Sequence, residues 1–240
     1  MLQFFRKVLG LGPSKLFNEI DTKKATLIKP YTESNANLDS NNVLPFLISE
    51  KTREINLNNE LVSVFHDREN IYGKVVVAHV LLKKKDDDFD IFHISTADKD
   101  NDFVDILLEN DIKNLDKHDI PFEFWNPLDD TLPFKMLSTK ISAFSSEKIM
   151  SKKHMSEAHK MLDSDKLFVS IPRKGLIFIC KKDLKQEDLD YFFKLHQFIV
   201  MDNNNKHEFL CEDLFVVENG EISGVLELKE LSKSLIELNM

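Results

Sequence analysis

Apolar and polar positions alternate, cluster or recur at helical spacing in different stretches of the chain, and each pattern predicts an element. Leu61 to Phe65, Tyr72 to Leu82 and Phe89 to Ile94 are rich in apolar and β-branched residues and read as strands. The block Lys83-Lys84-Lys85-Asp86-Asp87-Asp88 between the last two reads as a solvated hairpin tip. From Asp100 to His118, Phe103, Ile106, Leu107 and Leu115 form one helical face behind an Asp100 cap. A second helix is expected over Ser146 to Leu162, with Glu147 or Glu157 and several lysines on its exposed side. Leu167 to Ile171 and Leu176 to Cys180 read as strands around the turn Pro172-Arg173-Lys174-Gly175. A third helix spans Gln186 to Met201, its apolar face made by Leu189, Phe192, Phe193, Leu195, Phe198 and Ile199. Asn219-Gly220 between Leu214 to Val217 and Ile222 to Leu228 is a strong hairpin signal, and Lys229 to Leu238 reads as a closing helix. Strands and helices mix without a βαβ rhythm. The fold class is therefore α+β, with mixed, mainly antiparallel sheets and several packed helices.

Thr32 to Asn42 is polar and crowded with Ser, Asn and Asp, which sets residues 1–42 apart as an N-terminal appendage and linker. Residues 43–240 form the main α+β domain, with a division into two subdomains expected near 140–150. At the N-terminus, Leu2, Phe4, Phe5, Val8, Leu9 and Leu11 make a short apolar stripe interrupted by Arg6 and Lys7 and stopped by Gly10, Gly12 and Pro13. A secretory signal would place its charges before an unbroken apolar run. Docking on the body, or a weak peripheral membrane contact through residues 1–12, fits the stripe. No run reaches the ~18 apolar residues that a membrane-spanning helix needs, so integral membrane association is not expected.

Composition narrows the function classes. Hydrophobic residues make up 42% and charged residues 30% of the 240, ordinary for a chain with a buried core. The formal net charge is -9, and the arginines are limited to Arg6, Arg53, Arg68 and Arg173. Nucleic-acid binding needs clustered cations and favours Arg, so both facts argue against it and towards a basic protein partner. Two cysteines, Cys180 and Cys211, give no disulfide framework and suit a reducing cytoplasm. With six glycines there is little material for a phosphate-cradling loop, and no dinucleotide, P-loop, zincin or serine-hydrolase motif occurs.

Two constellations remain. Pro121 opens an aromatic run, and Phe122, Phe124 and Trp125 form a candidate protein-contact surface. On the C-terminal hairpin, Asp213 followed by Glu227 and Lys229 has the spacing of the PD-(D/E)xK nucleases. Asp213 and Glu227 would hold Mg²⁺ or Mn²⁺, Lys229 would orient the attacking water, and Glu208 is a possible further acid. The Pro-Asp pair of that motif is absent, since Glu212 precedes Asp213. Among the histidines, His154 and His159 turn to different helix faces, adjacent His66 and Asp67 point to opposite sides of a strand, and His79 and His93 are placed to meet across a sheet.

Residues 162 to 200 resemble the YtpQ-like family of bacterial proteins. The likeness is carried by Leu167-Phe168-Val169-Ser170-Ile171-Pro172-Arg173-Lys174-Gly175-Leu176-Ile177-Phe178 and the helix from Gln186. Lys174 stands where the family has an acidic residue. The resemblance implies a bacterial cytoplasmic protein and no particular reaction. The expected function is thus a non-catalytic intracellular binding or regulatory protein without a cofactor, acting through protein–protein contacts. The alternative is a metal-dependent nuclease.

Overall fold

The structure, a computed structural model, describes residues 29–30, 40–49, 75–85, 88–94, 101–127, 131–140, 142–202, 205 and 207–227. Among the described residues, three helices and two mainly antiparallel sheets make an α+β fold. The chain divides into two compact units at the step from Asp119 to Ile120. The division does not fall near 140–150, because those residues belong to one packed body: Met136 and Leu137 are paired within a sheet, and Ser145 to Ile149 are buried. Residues 1–28, including the apolar stripe, lie outside the described residues, as do Leu61 to Phe65, His66, Asp67 and the expected helix from Lys229.

The unit before Asp119 holds a sheet of β1 (Lys29–Pro30), β2 (Val43–Ser49), β3 (Val75–Lys85) and β4 (Asp88–His93), in the order β1-β4-β3-β2. Lys29 and Pro30 pair in parallel with β4, and the other pairings are antiparallel. The strands reach into the charge block expected at a tip, with Lys83, Lys84 and Lys85 opposite Asp90, Phe89 and Asp88. Pro45 sits within β2, an edge strand. The His79 carbonyl accepts from Ile94 N–H on the β4 side, so Ala78 and Val80 bond towards β2 and the Pro45 nitrogen faces outward. The missing N–H therefore costs no ladder bond.

Helix α1 (Asn101–Leu115) lays Phe103, Leu107, Asp111 and Leu115 along one stripe, while Ile106, expected on that face, is 62% exposed. Val43, Leu81, Ile94 and Leu107 form the apolar cluster, and Asn114 Nδ2 donates to the Val43 carbonyl at 2.9 Å. His93 pairs with Val80, so His79 and His93 point to opposite faces and do not meet. His79 Nδ1 instead lies 2.5 Å from Asp111 Oδ2, both residues buried.

The unit from Ile120 is built on a six-stranded antiparallel sheet of β5 (Phe122–Phe124), β6 (Met136–Thr139), β7 (Lys166–Ser170), β8 (Phe178–Lys181), β9 (Leu214–Glu218) and β10 (Glu221–Leu226). Its order is β10-β9-β7-β8-β6-β5. Met136, Phe168, Phe178, Cys180 and Leu214 share one face and pack on Phe192, Phe193, Leu195, Phe198 and Ile199 of α3 (Gln186–Met201). Alternation sends Leu137, Leu167, Val169, Ile179, Phe215 and Val217, all buried, to the other face. Helix α2 (Lys152–Leu162), which contacts β6 and β8, buries Met155, Ala158 and Leu162 outside the α3 cluster.

The single helix expected over Ser146 to Leu162 is broken. Ser146–Met150 is a 3-10 turn, and Ser151 in extended geometry caps α2 by accepting from His154 N–H at 3.0 Å. Glu147 and Lys148 lie in that turn fully buried, contrary to the exposed side expected for Glu147. The β9–β10 turn matches its sequence signal: Asn219 and Gly220 have φ 54 and 80, as a primed hairpin turn requires. A Cβ on Gly220 would lie 2.9 Å from Ser156 Oγ and 3.0 Å from the Lys152 carbonyl, so only glycine lets this turn approach α2. Among the described residues no helix is long and apolar enough to cross a membrane.

Candidate functional site

Three polar groupings penetrate the six-stranded unit, and each ties one element to another. The turn after β7 carries Arg173, whose guanidinium enters the C-terminal end of α3. Its Nε donates to the Ile199 carbonyl at 2.8 Å, Nη2 to Val200 and Asp202 carbonyls at 3.0 and 2.8 Å, and Nη1 to His207 at 2.9 Å. A helix end leaves carbonyls without N–H partners and a partial negative charge, and a buried cation with a planar donor fork answers both. Burial lowers the Arg173 pKa, with Asp202 acting in the opposite sense.

Lys174, the next residue, forms an ion pair with Glu147 of the 3-10 turn. Ser146 Oγ donates to Glu147 Oε2 at 2.7 Å and accepts from Gly175 N–H at 3.2 Å. Burial lowers the Lys174 pKa, and the Glu147 charge, its hydrogen bond and the more remote Glu208 charge oppose that fall. Lys148 turns the other way, donating to the Ile120 carbonyl with its ammonium 3.9 Å from the centre of the Phe122 ring.

The third grouping joins β7 to α3. His196 is buried, with Nε2 2.9 Å from the Glu212 carbonyl and Nδ1 2.8 Å from Ser170 Oγ. A carbonyl only accepts, so Nε2 carries the hydrogen and Nδ1 accepts from the serine hydroxyl. Burial pushes the His196 pKa down to about 4, with the Glu212 carbonyl opposing, so the ring is neutral at pH 7. A serine donating to a neutral imidazole is the arrangement of an activated nucleophile, but both side chains are enclosed and a substrate has no approach. Sequence reasoning missed this pair and the Glu147–Lys174 pair. The available signal was His196 itself, a polar residue four positions after Phe192 on an otherwise apolar helix face.

The aromatic run is divided by its surroundings. Phe122 is buried beneath Lys148. Trp125 is half-buried and meets Phe178 edge to face, with centroids 5.6 Å apart. Phe124 is 51% exposed, with the Lys135 ammonium 5.4 Å from its ring centre. Strand β5 ends the sheet. Trp125 N–H donates to the Met136 carbonyl at 2.8 Å, so Glu123 and Trp125 bond towards β6 while the backbone groups of Phe122 and Phe124 face outward. Among the described residues no strand pairs with that edge.

Of the acidic set, Asp213 is buried and Glu227 exposed, and Lys229 lies outside the described residues. The β9–β10 ladder ends at Leu214 opposite Leu226, which makes Asp213 and Glu227 the next position on each strand. Glu208 is exposed, and its carbonyl accepts from Lys174 N–H at 2.9 Å. Among the described residues no three His, Cys, Asp or Glu side chains gather as a metal site would require. No protein-family model matches the chain, and comparison with curated proteins and with solved structures also returns no match.

Proposed function

We propose that the chain is a non-catalytic binding or regulatory protein that acts through a protein–protein contact at the β5 edge. The observation that carries this reading is the coincidence, at Phe124, of a half-exposed ring and a sheet edge that no strand among the described residues pairs with. Strand addition offers a partner backbone hydrogen bonds along such an edge, while an exposed ring supplies the apolar anchor. The internal satisfaction of Arg173 and His196 supports the same reading, since their polar atoms hold helix to sheet. The net charge of -9 favours a basic partner. A cytoplasmic, bacterial setting is part of the proposal, supported by the buried thiols of Cys180 and Cys211, neither of which is in a disulfide, and by the YtpQ-like resemblance of residues 162 to 200. Any peripheral membrane contact through residues 1–12 concerns a segment outside the described residues.

The test is quantitative partner capture with wild type and Phe124→Asp, with thermal unfolding to show that both are folded. A partner lost from a folded variant supports the edge; an identical captured set refutes it. The metal-dependent nuclease is the second reading, favoured by one observation, the continuation of the β9–β10 register through Asp213 and Glu227. It predicts a rise in the unfolding midpoint with millimolar Mn²⁺ that disappears in Asp213→Ala, because ligand bound only to the native state stabilises it by mass action. An unchanged wild-type midpoint would remove this reading.

A further inference from the structure

A cavity of about 290 Å³ opens beside the start of α3, between the segment entering β6 and the segment leaving β8. Pro133, Phe134 and Leu184 give it an apolar side. Three lysines, Lys135, Lys181 and Lys185, and two aspartates, Asp183 and Asp188, complete its lining. None of these lysines is ion-paired to either aspartate. Lys181 donates to the Asp163 carbonyl at 2.9 Å, a bond to a neutral group that leaves its charge uncompensated, and Lys135 lies over Phe124. The lining thus carries one more positive than negative charge, in a chain whose overall charge is -9.

We propose that this cavity is a binding site for a small phosphomonoester that also bears hydroxyl groups, of about monosaccharide-phosphate size. The phosphate fits the lysines, which serve as point charges for a dianion. A bare anion would be opposed by Asp183 and Asp188, whereas hydroxyl donors on the same ligand turn those carboxylates into hydrogen-bond acceptors. The apolar side takes the carbon frame. The volume lies at the small end of ligand pockets, which sets the size limit. The site shares Lys135 with the surroundings of Phe124, but Lys181, Lys185 and Asp188 are not part of the β5 edge, so variants at these three test the cavity apart from that contact.

The experiment is titration of the full chain with glucose 6-phosphate, followed by amide NMR shifts, beside parallel titrations with glucose and with inorganic phosphate. The expected result is a saturable response confined to residues around 133–135 and 181–188, with affinity roughly tenfold or more above either fragment. Lys181→Ala with Lys185→Ala should weaken binding roughly tenfold or more while the thermal midpoint stays near wild type. Asp188→Asn should reduce the preference for glucose 6-phosphate over inorganic phosphate. The proposal is overturned if inorganic phosphate binds as well as the sugar phosphate, if the shifts lie elsewhere, or if the folded double-lysine variant binds unchanged.

Discussion

Acidification should weaken the fold through one enclosed imidazole. His196 has an ordinary pKa of 6.5 and is lowered to about 4 in the folded chain because burial disfavours the charged ring. Above pH 6.5 the ring is neutral in both states and its contribution is fully present. As the pH falls below 6.5 the unfolded chain takes up a proton that the folded chain refuses until about 4, so stability is lost across that window. At 1.36 kcal/mol per pH unit the loss is about 3 kcal/mol, a large part of a typical stability of ~5–15 kcal/mol. His207 and His118 are also lowered by burial, so wild type alone does not isolate the effect. His196→Gln removes the titration while keeping a polar side chain near Ser170 and the Glu212 carbonyl. Urea unfolding followed by the single tryptophan, Trp125, packed against Phe178 in the same unit, reports the difference. The stability advantage of wild type over His196→Gln should shrink by about 3 kcal/mol between pH 7.5 and 4. A difference independent of pH, or an NMR titration of the His196 ring near 6.5, would refute the reasoning.

Arg173→Ala should cost about 2–5 kcal/mol in urea unfolding, because it leaves the carbonyls at the end of α3 without their donor; Arg173→Lys should recover only part, since one ammonium cannot replace the planar fork. Glu147→Ala should destabilise by about 3–5 kcal/mol by removing the nearest counter-charge of buried Lys174, whereas replacing Glu147 and Lys174 together with Leu and Met should cost less than Glu147→Ala alone; the two unfolding curves decide this. Ser151→Ala should cost ~1 kcal/mol in thermal unfolding through loss of the α2 cap. The Cys180 thiol, raised well above 9.0 by burial, should resist iodoacetamide in the native protein and react once urea unfolds it, which mass spectrometry of the modified peptides would show.

Local chemistry was enough to locate the elements that depend on near neighbours. Gln186–Met201 emerges as a helix with the apolar face expected of it, and Asn219-Gly220 turns the last hairpin, because helical periodicity and positive φ are properties of a few adjacent residues. The break at Ser151 was obscured because Ser146 to Leu162 keeps helix-forming residues throughout. Only the contact of Glu147 with Lys174 and of Lys148 with Phe122 and Ile120 decides that the first turn is pulled inward as a 3-10 turn. The candidate contact surface was half legible. Phe122 and Phe124 alternate onto the same side of β5, yet Lys148 covers one and not the other, a fact of packing that spacing cannot carry.

By itself the sequence determined an α+β chain with a buried core, its last hairpin, the apolar face of Gln186–Met201 and the absence of a familiar catalytic motif. Tertiary structure decided the order β10-β9-β7-β8-β6-β5, the Val80–His93 register that parts two histidines, and the Ser170–His196 pair, whose members stand 26 residues apart. The physical reason is range. Backbone preference acts within a turn, whereas burial, register and the pKa of an enclosed imidazole depend on what another segment brings against it.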